Sequence, residues 1–242
     1  MDISSLCSTR IQKSFDDDQA TILRTFLNTD SEGAKVYLTN YYKELPISHP
    51  ATILAVGTNT ADLEVSSQQA FAMATDGYTL IRSHLFPDPI LAHVQYVRVK
   101  KQVSKQVASL NKFCFVEVLA DKRVAVRVNL EPPVDCTILS PNQYIPGKLV
   151  DISVNGLAIT VDDFVDIKIG TEIPVEFILS DHLLLTETTI NLVSELVQIY
   201  GEASPYYYRF KIFPDNHQEQ LVSRYIFQRQ IEIIQDIKKI IS

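Results

Sequence analysis

Between residues 35 and 212 the chain returns again and again to one texture, a short apolar or alternating run closed by a turn former. The first group reads "KVYLTNYY", "ATILAVG", "ADLEVS", "YTLIRS", "ILAHVQYVRVKKQ" and "NKFCFVEV". The second reads "VDCTIL", "GKLVDISV", "LAITV", "TEIPVEFIL", "TTINLVSELVQIY" and "YYYRFKIF". Runs this short, rich in β-branched and aromatic residues and without helical stretches between them, predict antiparallel strands in a barrel or a sandwich. The grouping predicts two β domains joined near residue 120.

Helical periodicity is confined to the two ends. In "DDDQATILRTFLN", residues 16 to 28, three acids precede Ile22, Leu23, Phe26 and Leu27 at helical spacing. Acids suit the positive end of a helix and the apolar set is a core-facing stripe, so the acids read as a helix start. The tail "PDNHQEQLVSRYIFQRQIEIIQDIKKIIS" places Leu221, Tyr225, Ile226, Ile233, Ile237, Ile240 and Ile241 on related faces. Pro214 and Asp215 suit its start, and Lys238 and Lys239 its negative end. Isoleucines 226, 233 and 240 repeat every seven residues. Too few heptads are present for a coiled coil, so packing on the chain's own barrel is the favoured expectation and a homodimer contact the alternative.

Composition excludes several classes. The 242 residues are 46% hydrophobic and 9% aromatic, which is ordinary for a globular chain. No apolar run reaches the roughly 20 residues needed to cross a bilayer, and "MDISSLCSTR" lacks a signal peptide's apolar centre. A cytoplasmic protein without membrane insertion is expected. The formal charge of −7 argues against a nucleic-acid polymer as partner, because phosphate backbones select basic surfaces. Cys7, Cys114 and Cys136 have no metal-ligand spacing, the five histidines are scattered, and neither a metal nor a cofactor is expected. The cysteines read as reduced, small apolar side chains. In "HVQYVRVKK", Arg98 and Lys100 read as a solvated strand face.

The stretch "DKRVAVRVNL", residues 121 to 130, is the most unusual. As an extended strand it would put Arg123, Ala125 and Arg127 on one face and Val124, Val126 and Val128 on the other. The two arginines would stand about 13 Å apart at Cα, four steps of about 3.3 Å. Downstream, "LVDISVNGLAIT" carries Asn155 and Gly156, a strong signal for a type I′ hairpin turn, with Asp151 and Ser153 sharing a face by period two. Alone, that pair suits either a turn-stabilising network or a ligand site. Arginine forks match a phosphate or the O6 and N7 atoms of guanine, and aspartate complements the donor-rich edge of guanine. The set therefore suits a ligand with both phosphates and guanines.

With these residues in place, the sequence resembles the PilZ domains, receptors for the bacterial second messenger cyclic di-GMP. Their signature is R-x-x-x-R followed, after a spacer, by D/N-x-S-x-x-G. Here it stands as Arg123-Val-Ala-Val-Arg127 and Asp151-Ile-Ser-Val-Asn-Gly156, in order. "YRFKIF" and "LVSRYIFQRQIE" also resemble the final strand and terminal helix of that family. The N-terminal half, above all "VYLTNYYKELPISHPATILAV", resembles the β domain that precedes PilZ in two-domain receptors of the flagellar-brake type.

The resemblance implies a mainly β fold of two antiparallel β-barrel domains in tandem, residues 1–118 and 119–242, with an N-terminal and a C-terminal helix. It implies that Arg123 and Arg127, on the interdomain linker and early barrel, clamp phosphates and guanine edges. Asp151 and Ser153 would fix a guanine, and Gly156 would keep the hairpin close. Lys122 stands where a second arginine often sits; it keeps the charge without the bidentate fork. The implied protein is a non-enzymatic cyclic di-GMP receptor that changes its domain arrangement and acts on an effector protein, such as the flagellar motor. Regulation of exopolysaccharide or virulence fits equally, and a ligand-independent interaction module is the alternative. Glycine-rich phosphate loops and nucleophile elbows, which an enzyme of nucleotides would need, are missing from the sequence.

Overall fold

The computed structural model describes residues 6–32, 35–98, 105–123, 125–140, 143–181 and 186–241. Most of them are in strands, and they divide into two units. One contains residues 1–123 together with 233–242; the other contains residues 124–232. The boundary that the resemblance implies, between residues 118 and 119, falls a few residues before this division.

The first unit is built from β1 (Cys7–Thr9), α1 (Phe15–Glu32), β2 (Val36–Tyr42), β3 (Leu45–Val56), β4 (Thr60–Ser66), α2 (Ser67–Asp76), β5 (Tyr78–Arg82), β6 (Ile90–Arg98) and β7 (Lys105–Val118). The strands lie in the order β1-β7-β4-β3-β2-β5-β6, every pair antiparallel, and β6 also pairs β7, which curls the sheet into a ring. As the acids predicted, α1 starts on a polar cap: the Ser14 hydroxyl accepts the Asp17 amide, and buried Asp18 accepts the amides of Gln12 and Lys13. Ile22, Leu23 and Phe26 enter the core, where the Phe26 ring meets Phe86 and Phe113 edge to face at 5.4 and 5.5 Å. Leu27, placed on that stripe by the periodicity, is exposed.

One helix contradicts the expectation of strands alone in this region. Between β4 and β5 lies α2, closed at its start by the Ser66 hydroxyl, which accepts the Gln69 amide, and at its end by Gly77 at φ 74°, whose amide donates to the Met73 carbonyl. The sequence carries the cap residues as S-x-x-Q and a glycine, and "AFAMA" between them is good helix-forming sequence. Arg98 is exposed, its guanidinium 5.5 Å over the Tyr96 ring, in keeping with a solvated face; Lys100 lies outside the described residues.

The second unit contains β8 (Val128–Ser140), β9 (Gln143–Ser153), β10 (Gly156–Val161), β11 (Glu172–Asp181), β12 (Thr186–Tyr200) and β13 (Tyr206–Ile212), closed into a barrel in the order β10-β13-β12-β11-β8-β9. Alternate residues point inward, among them Leu149, Ile152, Leu157, Ile159, Val175, Leu192, Leu196 and Tyr208. The Tyr208 hydroxyl donates to the Val165 carbonyl and accepts its amide, both at 2.8 Å, so a core side chain pins the loop before β11. Between Asn129 and Val134 the register of β8 against β9 shifts, at the segment "LEPP". Prolines cannot donate to a ladder, and a bulge is where a strand can hold them.

The final helix, α3 (Asn216–Ile241), starts on a reciprocal cap: Asp215 accepts the Gln218 amide at 2.8 Å and the Gln218 side chain accepts the Asp215 amide at 3.0 Å. Val222, Tyr225 and Ile226 pack on the barrel. Ile233 and Ile237 pack with Leu45, Ile47 and Ala72 of the first unit. Two of the three heptad isoleucines, Ile226 and Ile233, are thus buried within the chain, and Ile240 is exposed. Among the described residues no helix is long and apolar enough to cross a membrane.

Candidate functional site

The run "DKRVAVR" is not the strand its alternation predicts. Residues Leu119–Lys122 form a 3-10 turn, Arg123 leaves it with extended backbone, residues 125–127 have no regular structure, and β8 begins at Val128. Val128 is fully buried as expected, Val126 is 44% exposed, and Val124 lies outside the described residues. The physical reason is charge pairing. Asp121 takes a two-pronged bond from Arg82, at 2.7 and 2.9 Å. Lys122 pairs with Glu117 at 2.9 Å and holds that carboxyl below its ordinary pKa. Arg123 pairs with Glu44. Three consecutive residues are each tied to a different strand or turn of the first unit, which bends the chain away from strand geometry. Tyr41 sits in the same cluster: burial pushes its phenol up, helped by Asp121 and opposed by Arg82 and Arg123.

Within the second unit, register gathers the other half of the motif. Asp151 of β9 lies opposite Asn129 of β8 on one side and Ala158 of β10 on the other. Val128, the first residue of β8, lies opposite Ile152, so Arg127 immediately precedes the strand at the end of the pair where β9 reaches Ser153. By period two, Asn129, Asp151 and Ser153 share one side of the ribbon, away from buried Val128 and Ile152. Arg127 is half-buried, and no carboxylate pairs with it among the described residues. Asp151, opposite Asn129, is half-buried as well.

Ser153 is buried, and its hydroxyl donates to the Gly156 carbonyl at 3.1 Å and accepts the Asn155 amide at 3.4 Å. This is a local network that closes the hairpin. The turn itself differs from the expected one. Ser153 pairs with Gly156, so Val154 and Asn155 occupy the centre, and neither Asn155 nor Gly156 has positive φ. The type I′ turn predicted from Asn-Gly is therefore not formed; the serine hydroxyl supplies the closure instead. Gly156 is required for a different reason, the approach of β13.

Two residues near these groups were not singled out from sequence. Arg209 of β13 pairs with Ala158, two strands from Asp151 on the same outer face. Its guanidinium lies 4.8 Å over the Tyr200 ring, which stacks on Tyr207, and its buried Nε has no hydrogen-bond partner among the described residues. Period two in "YYYRFKI" would have placed Tyr207, Arg209 and Lys211 on that face. Glu44, 79 positions from its partner Arg123, carries no sequence signal. Among the described residues no three His, Cys, Asp or Glu side chains are placed to hold a metal ion.

Comparison with known proteins bears chiefly on the second unit. Residues 121–228 match the PilZ domain family. No curated protein matches the chain in sequence. Among solved structures, YcgR of Escherichia coli in complex with c-di-GMP is 13% identical, with a TM-score of 0.46 over 99% of each chain. The inhibitor of motility MotI/DgrA of Bacillus subtilis is 13% identical, with a TM-score of 0.44 over 82% of this chain and 96% of that one. MrkH of K. pneumonia, as its c-di-GMP complex, is 16% identical, with a TM-score of 0.40 over 91% of this chain and 96% of that one.

Proposed function

We propose that this chain, which carries a PilZ domain over residues 121–228, is a receptor for cyclic di-GMP that acts on a partner protein and does no chemistry on its ligand. The observation that supports the reading is that Asp151 and Ser153 end β9 where β8 begins, one residue after Arg127, in a closed barrel inside the segment that matches the family. A half-buried guanidinium suits a phosphate or the Hoogsteen edge of guanine, and a carboxylate on the neighbouring strand suits the N1 and N2 donors of guanine. Lys122 and Arg123 complete the site from the preceding residues, and Gly156 keeps the hairpin in place.

Arg123 ends the first unit and Arg127 follows four residues later in the second. A ligand held by both favours those arrangements of residues 123–127 that let both reach it. Such differential affinity is what shifts a domain equilibrium. The receptor would work in the cytoplasm, and its output would be motility, exopolysaccharide or virulence through an effector such as the flagellar motor.

A second reading, a ligand-independent interaction module, is favoured by one observation: the Ser153 hydroxyl and the Arg123 guanidinium are both engaged inside the protein. Calorimetry decides between the two. The receptor binds cyclic di-GMP and binds GTP and cyclic GMP far more weakly, since only the dinucleotide offers two guanines and two phosphates; the module binds none of them. Loss of cyclic di-GMP to a linear product on incubation would point instead to an enzyme.

A further inference from the structure

The hairpin between β2 and β3 turns through two residues, Lys43 and Glu44, with φ of 50° and 70°. Two positive φ values in a two-residue loop make the primed turn that matches strand twist, and glycine and asparagine are the residues that adopt it without strain. Lysine and glutamate are poor choices, since side chains with a Cβ are disfavoured in the left-handed region by roughly 1 kcal/mol or more each. An unfavourable residue held in such a conformation points to a use for its side chain. The side chain of Glu44 has one: it accepts a short hydrogen bond from the Arg123 Nη1, and the two side chains are only 16% and 23% exposed.

Resting on the receptor reading above, we propose that Glu44 is an affinity-determining residue of the ligand site. Its carboxylate holds the Arg123 guanidinium that a phosphate of the ligand has to take. Binding is then an exchange of anions on one guanidinium: the carboxylate leaves for water and the phosphate diester replaces it, with no change in protonation or covalent structure. The neighbouring pairs fit this assignment, because Arg82 with Asp121 and Glu117 with Lys122 fasten the two preceding residues and leave Arg123 within reach of the hairpin. The apparent affinity is lowered by the fraction of molecules in which the pair is closed. A closed pair also ties the hairpin to the state without ligand, so the exchange reports occupancy to the first unit.

Titrating the full chain with cyclic di-GMP by calorimetry tests this. Glu44→Gln keeps shape and removes charge, and Glu44→Gly relaxes the turn as well; both should tighten binding about three- to tenfold, the range expected for a partly shielded ion pair. Glu64→Gln, the same charge change at a carboxylate paired with Lys105, should leave the affinity alone. In an Arg123→Ala background Glu44→Gln should no longer tighten binding. Unchanged affinity in both Glu44 variants overturns the proposal, as does equal tightening by Glu64→Gln or undiminished tightening without Arg123, either of which would make Glu44 a distant repelling charge. If wild type and variants alike fail to bind, the receptor reading itself falls and this assignment with it, a result distinct from binding that ignores Glu44.

Discussion

Gly156 and Phe210 approach so closely that a Cβ at position 156 would lie 2.8 Å from the Phe210 carbonyl oxygen. That oxygen belongs to the backbone of β13 in a closed barrel and cannot swing aside. Gly156→Ala should therefore push β10 from β13 and cost about 1 to 3 kcal/mol of barrel stability, as overpacking does. Chemical denaturation followed by far-UV circular dichroism measures it, and an unchanged midpoint would show that the strands yield more easily than the geometry implies.

Binding should respond unevenly to truncation of the face described above. Arg127→Ala and Asp151→Ala each remove a charged partner, worth roughly 1.5 to 3 kcal/mol, and should weaken cyclic di-GMP about tenfold or more. Arg209→Ala should weaken it less, because the Arg209 guanidinium is already drawn over the Tyr200 ring. Ser153→Ala is expected to lower the stability of the hairpin more than the affinity, since its hydroxyl closes the turn. Isothermal titration beside thermal melting separates the two effects, and wild-type binding by both Arg127→Ala and Asp151→Ala would remove the site.

Asp76, at the end of α2, gives the first unit a pH dependence of definite sign. Burial raises its pKa, against the lowering effect of the Asn40 amide that donates to it at 2.8 Å. The folded state then holds the proton more tightly than the unfolded state, so the stability tied to it is present at low pH and is lost as pH rises through the folded pKa. Asp76→Asn keeps an acceptor for Asn40 and removes the titration. Its melting temperature should exceed that of wild type by a margin that grows from acid toward neutral pH; a margin independent of pH would refute the assignment.

The thiols should be slow to react. Burial pushes Cys136 up to about 12 and Cys114 up to about 11, and raises Cys7 as well. Only the thiolate is nucleophilic, so at pH 7.5 little of any of the three is reactive. Native protein should label with iodoacetamide far more slowly than protein in guanidinium, and fast labelling of one cysteine in the native state would mark a local opening.

What could be read in advance follows from the range of the interactions concerned. Strand faces are local, because period two assigns Asp151 and Ser153 to one side whatever pairs with them. Caps are local too: Asp215 with Gln218 was recoverable, and so were Ser66 and Gly77, although the surrounding β texture hid the helix they enclose. The stretch at 121–127 misled because alternation describes what a strand would present, while its actual path follows Arg82, Glu117 and Glu44. Those partners are distant in sequence and leave no periodicity. The turn at Asn155 misled for a related reason, since the Ser153 hydroxyl takes the Asn155 amide and donates to the Gly156 carbonyl, which closes the hairpin one residue earlier than Asn-Gly suggests.

The division of the chain also sets an order of manufacture. Leu45 and Ile47 are made early, yet the side chains that bury them with Ala72 include Ile233 and Ile237, which leave the ribosome only after every strand of the closed barrel. Vectorial synthesis usually lets the earlier domain mature first. Here the barrel of residues 124–232 has all its strands outside the ribosome while the unit begun before it still lacks its closing pieces. A nascent chain stalled before residue 233 would carry an apolar patch at Leu45 and Ile47, the surface on which a chaperone would be expected to wait.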